Sequence, residues 1–195
     1  MRFTYEEYVL MIKRIIDAGY EIANYRDYST KCLPCILRHD VDFSLKKAYE
    51  LALYEHDNGI HSTFFVLISS ELYNVFSIKN RKIIRDIASM GHEVGLHFDE
   101  SCYDNGNVII DSILFEKEIL QEVLGAEVCC VSMHEPSERF LDSDVEIPGM
   151  INSYSKEFFG KLKYCSDSRR LWRDHPEDFV SQNECKGLHI LTHPV

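Results

Sequence analysis

The sequence predicts an α/β fold in which a parallel sheet, open or closed into a barrel, is covered by helices. Three observations predict it. Short runs rich in branched and aromatic residues, such as 61–68 and 127–133, alternate with stretches of helical periodicity, such as 45–56 and 109–124. Tight hairpin signals between the apolar runs are absent, which favours parallel neighbours. Strand after strand ends on histidine or an acid: His39, Asp40 and Asp42; His97 and Asp99; His134 and Glu135; Asp167; His193. In parallel α/β folds the carboxyl ends of the strands carry the site.

Taken in order, Thr4 with Glu7 makes a capping box, and Tyr8, Val9, Ile12, Ile15 and Ile16 give a packing helix over about 4–19, stopped at Gly19. Residues 20–23 read as a short strand and 24–33 as a loop. Cys35-Ile36-Leu37 begins a buried strand ending at His39. Helical spacing of Leu45, Ala48, Tyr49, Ala52 and Leu53 predicts a helix to His56, ended by Asn58-Gly59. A strand follows over 61–68, a helix over 81–90 stopped by Gly91, and a strand over 93–97. Next come a helix over 109–124 closed by Gly125, a strand over 127–133 and a loop over 134–150. A short helix at 154–160, a strand at 162–166, a helical turn at 176–182 and a strand at 188–192 complete the chain.

At 195 residues the size suits a single domain, residues 1–195, with the core over about 35–195. The formal charge of −11, from 21 basic and 32 acidic residues, argues against nucleic acid as a partner, because phosphate-backbone binding needs a basic surface. No apolar run approaches the ~18 residues of a transmembrane segment. The first residues lack the basic-then-apolar layout of a secretion signal, so the expected location is cytoplasmic. Seven cysteines make an odd count for a disulfide framework. Cys32-Leu33-Pro34-Cys35 is a lone CxxC without the second pair of a zinc ribbon, and it leads into a strand instead of opening a helix as a redox CxxC does. Buried or loop cysteines are expected.

The stretch Leu37-Arg38-His39-Asp40-Val41-Asp42-Phe43-Ser44 organises the functional reading. Strand alternation sends Asp40 and Asp42 to one side and His39 and Val41 to the other. Two convergent carboxylates repel unless a cation or a shared proton intervenes. One reading is a metal on one acid, with the other accepting a proton from water. The other is a strand end where Asp42 or Ser44 caps the helix beginning near Leu45. Taken with the remaining strand ends, the stretch favours a metal-assisted hydrolase site. No glycine-rich phosphate loop follows the first strand, which counts against a dinucleotide or P-loop reading.

The sequence resembles the NodB-type polysaccharide deacetylases, the carbohydrate esterase family 4 fold, and within it the branch with an HDVD first motif associated with O-antigen and surface-polysaccharide genes. Arg38-His39-Asp40-Val41-Asp42 stands where that family has its paired acids. Gly91-His92-Glu93-Val94-Gly95-Leu96-His97 resembles its second motif, and Met133-His134-Glu135-Pro136-Ser137 takes the place of the third, RxPxG. Tyr164-Cys165-Ser166-Asp167-Ser168 with Trp172 resembles the fourth, and Leu188-His189-Ile190-Leu191-Thr192-His193-Pro194 the fifth.

The resemblance implies a distorted (β/α) barrel with fewer than eight strands. It also implies a metal-dependent hydrolase that removes an N-acyl group, acetyl or formyl, from an amino sugar or polysaccharide precursor. Asp40 is then the catalytic base, and Asp42 and His97 hold a divalent metal, with zinc the expected ion. His193 is the general acid, kept protonated and oriented by Asp167, and Trp172 offers an apolar wall to the substrate. Two positions depart from the family pattern. Ser101 stands where a second histidine ligand is usual, and His134 stands where the third motif has an arginine that steadies the base. His134 is expected to complete the metal site, with Asp99 the alternative ligand. The rival functions are an amidohydrolase of the same fold acting on a non-sugar C–N bond, and a catalytically inactive relative.

Overall fold

Side-chain caps start the helices where periodicity places them. Thr4 Oγ1 accepts from the Glu7 amide at 3.3 Å, which opens α1 (Tyr5–Asp17), and Ser44 Oγ accepts from the Lys47 amide at 3.3 Å, which opens α2 (Leu45–Asp57). Of the two candidate caps for that second helix, Ser44 is the one used, so Asp42 is left for other work. The computed structural model describes residues 4–103, 108–142, 144–168, 171–172, 174–180 and 186–194.

The strands are β1 (Glu21–Ala23), β2 (Pro34–Val41), β3 (Thr63–Leu67), β4 (Glu93–Phe98), β5 (Cys130–Met133), β6 (Ile151–Asn152), β7 (Lys163–Ser166) and β8 (Leu188–Thr192). Between them stand α3 (Ile78–Ser89), α4 (Ile109–Leu124), α5 (Glu138–Asp142), α6 (Lys156–Lys161) and α7 (Pro176–Val180). Every pairing in the sheet is parallel. Seven strands form an arc in the order β6-β5-β4-β3-β2-β8-β7, and β1 adds to the first half of β2, with Glu21 beside Pro34. Among the described residues no pairing joins β6 to β7, so the arc is a distorted (β/α) barrel left open at one seam.

Alternation along the strands separates two environments. On β2, Cys35, Leu37, His39 and Val41 face the surrounding helices, and Ile36, Arg38 and Asp40 face the barrel interior with Phe65, Cys130, Tyr25 and Phe158. The interior leaves no room for a side chain on β4 at position 95. A Cβ on Gly95 would lie 2.5 Å from the Phe65 ring and 2.8 Å from Cys130 Sγ.

Several boundaries differ from those the sequence predicts. β2 runs on through Arg38, His39 and Asp40 to Val41 with every residue buried, whereas charged residues ended the apolar pattern early. α3 begins at Ile78 because Ser77 caps it; Ile78 is 90% exposed and breaks the apolar stripe that placed the start at Arg81. Within the expected loop at 134–150 the chain forms α5, a helix of five residues, too short to show periodicity. β6 has two residues and exists through pairing of Cys130 with Ile151 and Val131 with Asn152. Cys185 and Gln182 lie outside the described residues. No helix among the described residues is long and apolar enough to cross a membrane.

Candidate metal centre and active site

β2, β4, β5 and β8 lie side by side or one strand apart in the sheet, and each delivers its last inward residues to the same end. His97 Nε2 is 3.1 Å from Asp42 Oδ1, His134 Nδ1 is 3.4 Å from the same oxygen, and the two ring nitrogens are 3.4 Å apart. Asp42, His97 and His134 thus present three donor atoms within 4.8 Å of one another. Asp42 Oδ1 is a buried oxygen without a hydrogen-bond partner, faced by two imidazole nitrogens. These three side chains form a candidate site for a divalent ion, and a carboxylate with two imidazoles is a donor set that zinc accepts. His97 Nδ1 lies 3.2 Å from the Ser132 carbonyl, which holds a proton there and directs Nε2 to the centre.

Asp99, the other candidate, has one oxygen engaged in a local turn. Asp99 Oδ1 accepts from the Ser101 amide at 2.9 Å and from Ser101 Oγ at 2.7 Å, capping a 3₁₀ turn over Glu100–Cys102. Ser101, at the position where the family pattern has a histidine, therefore holds Asp99 in its turn.

Asp40 is 3% exposed and sits beside this centre, with Oδ2 3.7 Å from His97 Nε2. Both its oxygens accept from one guanidinium. Arg38 Nε donates to Oδ1 at 2.8 Å and Nη2 to Oδ2 at 2.6 Å. Sequence reasoning quoted Arg38 within the first motif and gave it no role. The signal was present, because residues two apart on a strand share a face. Where the resemblance expects a third-motif arginine the chain has His134, yet an arginine still meets Asp40, supplied from the same strand. Burial pushes the Asp40 carboxyl up, but the charge of Arg38, helped by His97 and His193, outweighs this and holds it below its ordinary value. Burial likewise opposes ionisation of Asp42, and His134 and His97 beside it pull its carboxyl well down.

Across the centre, His193 Nδ1 is 2.7 Å from Asp167 Oδ1, and the His193 amide donates to Asp167 Oδ2 at 3.2 Å. Its Nε2 is 3.8 Å from Asp42 Oδ2. Burial lowers the His193 pKa, but the bond to Asp167 and the charges of Asp40 and Asp42 carry it above the ordinary value. The sheet end opens into a cleft of about 1550 Å³ whose walls include Phe43, Leu72, Trp172, Tyr154 and Tyr164. Trp172 packs its ring partly into the apolar cluster beneath α1.

No family model and no curated protein sequence matches the chain. Solved structures do. A family 4 carbohydrate esterase from Bacillus anthracis superposes with a TM-score of 0.50 at 15% identity, over 100% of this chain and 80% of that one. This chain has the family 4 carbohydrate esterase fold. The peptidoglycan deacetylase PdaC from Bacillus subtilis shares the esterase fold with a TM-score of 0.50 at 18% identity, over 83% of this chain and 74% of its own. So does a mutant of a family 4 pseudoenzyme with restored enzymatic activity, with a TM-score of 0.51 at 13% identity over 85% of this chain. The chain spans 57% of that last protein's length.

Proposed function

We propose that this chain is a metal-dependent N-deacylase that hydrolyses an acetyl or formyl amide on an amino sugar or polysaccharide precursor. One observation carries the reading. Of two neighbouring acids at the end of β2, Asp42 meets two imidazole nitrogens, and Asp40 sits beside them with both oxygens held by Arg38. Asp42, His97 and His134 would hold a divalent ion, whose chemistry there would be to polarise an acyl oxygen and acidify water. Asp40, ionised at neutral pH, accepts the proton of the attacking water. His193, protonated and oriented by Asp167, lies on the far side of Asp42 and donates to the departing amine. The cleft is larger than the ~300–1,000 Å³ of typical small-ligand pockets, as a glycan or a carrier-linked sugar requires. Its aromatic walls at Trp172, Tyr154 and Tyr164 suit the apolar faces of sugar rings.

The test is acetate or formate release from N-acylated amino-sugar oligomers by the zinc-loaded protein, with and without a chelator. Chelator-sensitive release supports the reading. A protein that binds zinc and releases neither acid from any such oligomer favours the inactive relative, and release only from ureides or simple amides favours the non-sugar amidohydrolase.

A further inference from the structure

Asp40 and Asp42 are chemically alike, lie on one face of one strand end, and stand within 3.7 and 3.1 Å of the same His97 nitrogen. Either could bind a divalent ion, and a cation placed among these groups attracts both. The difference between them is their other neighbour. Asp40 meets a guanidinium at both oxygens, whereas Asp42 Oδ1 is faced by the imidazole nitrogens of His97 and His134 at 3.1 and 3.4 Å.

That guanidinium is held from several sides. Arg38 is wholly buried, and it also donates to Ser132 Oγ on β5, to Ser153 Oγ at 3.4 Å and to Tyr154 Oη at 3.2 Å. Its Cζ lies 5.4 Å from the centre of the Phe65 ring and 4.9 Å from that of Tyr154. These partners come from β3, β5 and the turn after β6, so Arg38 reaches from the middle of the arc to its open seam.

We propose that Arg38 is a positioning residue that assigns the two carboxylates their roles: by occupying both Asp40 oxygens it withholds Asp40 from the ion and leaves Asp42 to bind it. This rests on the metal-centre reading above. The fork is planar and bidentate, so it fixes the orientation of the carboxylate as well as neutralising its charge. It uses one lone pair on each oxygen. The other lone pairs stay available to accept a proton from water. Without the fork, no group holds the buried Asp40 carboxylate at both oxygens, and it turns to ligate an ion a few ångströms away.

The sign of the effect separates this role from a packing role. Loss of a packing residue loosens the site and weakens metal binding, whereas loss of the fork adds a ligand and strengthens it. The experiment is competition for Zn²⁺ against a chromophoric chelator for wild type, Arg38→Met, Arg38→Lys and Arg38→Met/Asp40→Asn, with thermal unfolding to confirm folding. Zinc is expected to bind more tightly in Arg38→Met, opposite in sign to the usual loss of affinity when a partner outside the ligand shell is removed. Arg38→Lys falls between, because one ammonium does not cover both oxygens, and the double variant loses the gain. Hydrolysis of an activated acetyl ester falls in kcat with KM held. Zinc affinity unchanged or weakened in folded Arg38→Met, or a gain that survives in the double variant, overturns the proposal. Should Arg38→Met fail to fold, the direction of the Arg38→Lys change decides alone. A wild type that binds no zinc overturns the metal-centre reading and this proposal together, and zinc bound equally by wild type and variants overturns this one alone.

Discussion

Replacing Glu55 by alanine is expected to destabilise the protein severely, although Glu55 lies on the helix side of the sheet, away from the cleft. The carboxylate is 0% exposed and sits between α1, α2 and β2. Its Oε1 accepts from Tyr8 Oη at 2.6 Å and lies 3.0 Å from His39 Nε2; its Oε2 accepts from Ser62 Oγ at 2.6 Å. A carboxylate only accepts, so His39 Nε2 carries a proton, and the other ring nitrogen lies 2.7 Å from Thr192 Oγ1, beside His193. Glu55→Ala leaves two buried donors, on His39 and Ser62, and the half-buried Tyr8 hydroxyl without their acceptor at ~1–2 kcal/mol each, so the loss is about 4 kcal/mol. For a chain of this size that lowers Tm by roughly 8–16 °C. Glu55→Gln keeps the shape and one acceptor and costs about half as much.

The pH dependence has a definite sign. Burial opposes ionisation of Glu55, but His39, Ser62 and Tyr8 hold its carboxyl below the ordinary value. Its stabilising contribution is therefore complete above the unfolded-state pKa of about 4.3 and is lost as the pH falls through the lower folded value. The gap in stability between wild type and Glu55→Gln should narrow below about pH 4. Urea unfolding at several pH values measures this. A loss under about 1 kcal/mol in Glu55→Ala at pH 7 would refute the view that this network supports the sheet behind Asp40.

Three further outcomes are expected. Asp40→Asn should retain zinc by elemental analysis and lose at least about 10²-fold in deacylation, because an amide accepts no proton; full activity in this variant would remove Asp40 as the base. In His134→Ala zinc affinity should fall by more than about tenfold, with Asp99→Ala close to wild type, and the reverse order on chelator titration would mean that the third ligand is misassigned. Gly95→Ala forces a methyl group against the Phe65 ring and should cost about 1–3 kcal/mol, recovered in part by Phe65→Leu. Equal unfolding midpoints for Gly95→Ala and wild type would show that β4 yields at this point.

Most helices were legible because their signals are local. Thr4 and Ser44 sit where caps must sit, and Gly125, with φ of 80° at the end of α4, takes the left-handed conformation that glycine tolerates best. The convergence of Asp40, Asp42, His97, His134 and His193 was legible for a related reason. In a parallel sheet, residues that end successive strands must share one end of the fold. β6 escaped notice because two residues carry no period, and it exists only against the edge of β5.

The sequence by itself determined the α/β alternation, the face shared by Asp40 and Asp42, and the set of residues that meet at the sheet end, since each follows from period and order along the chain. Only the tertiary structure decided which partner each of those residues meets. Asp99 turns back to Ser101, His134 joins His97 and Asp42, and Arg38 takes Asp40. These choices depend on which strands are neighbours and on distances of 3–4 Å between side chains far apart in the chain. A one-dimensional pattern fixes which face a side chain occupies, but the partner it finds there is set by packing across the barrel.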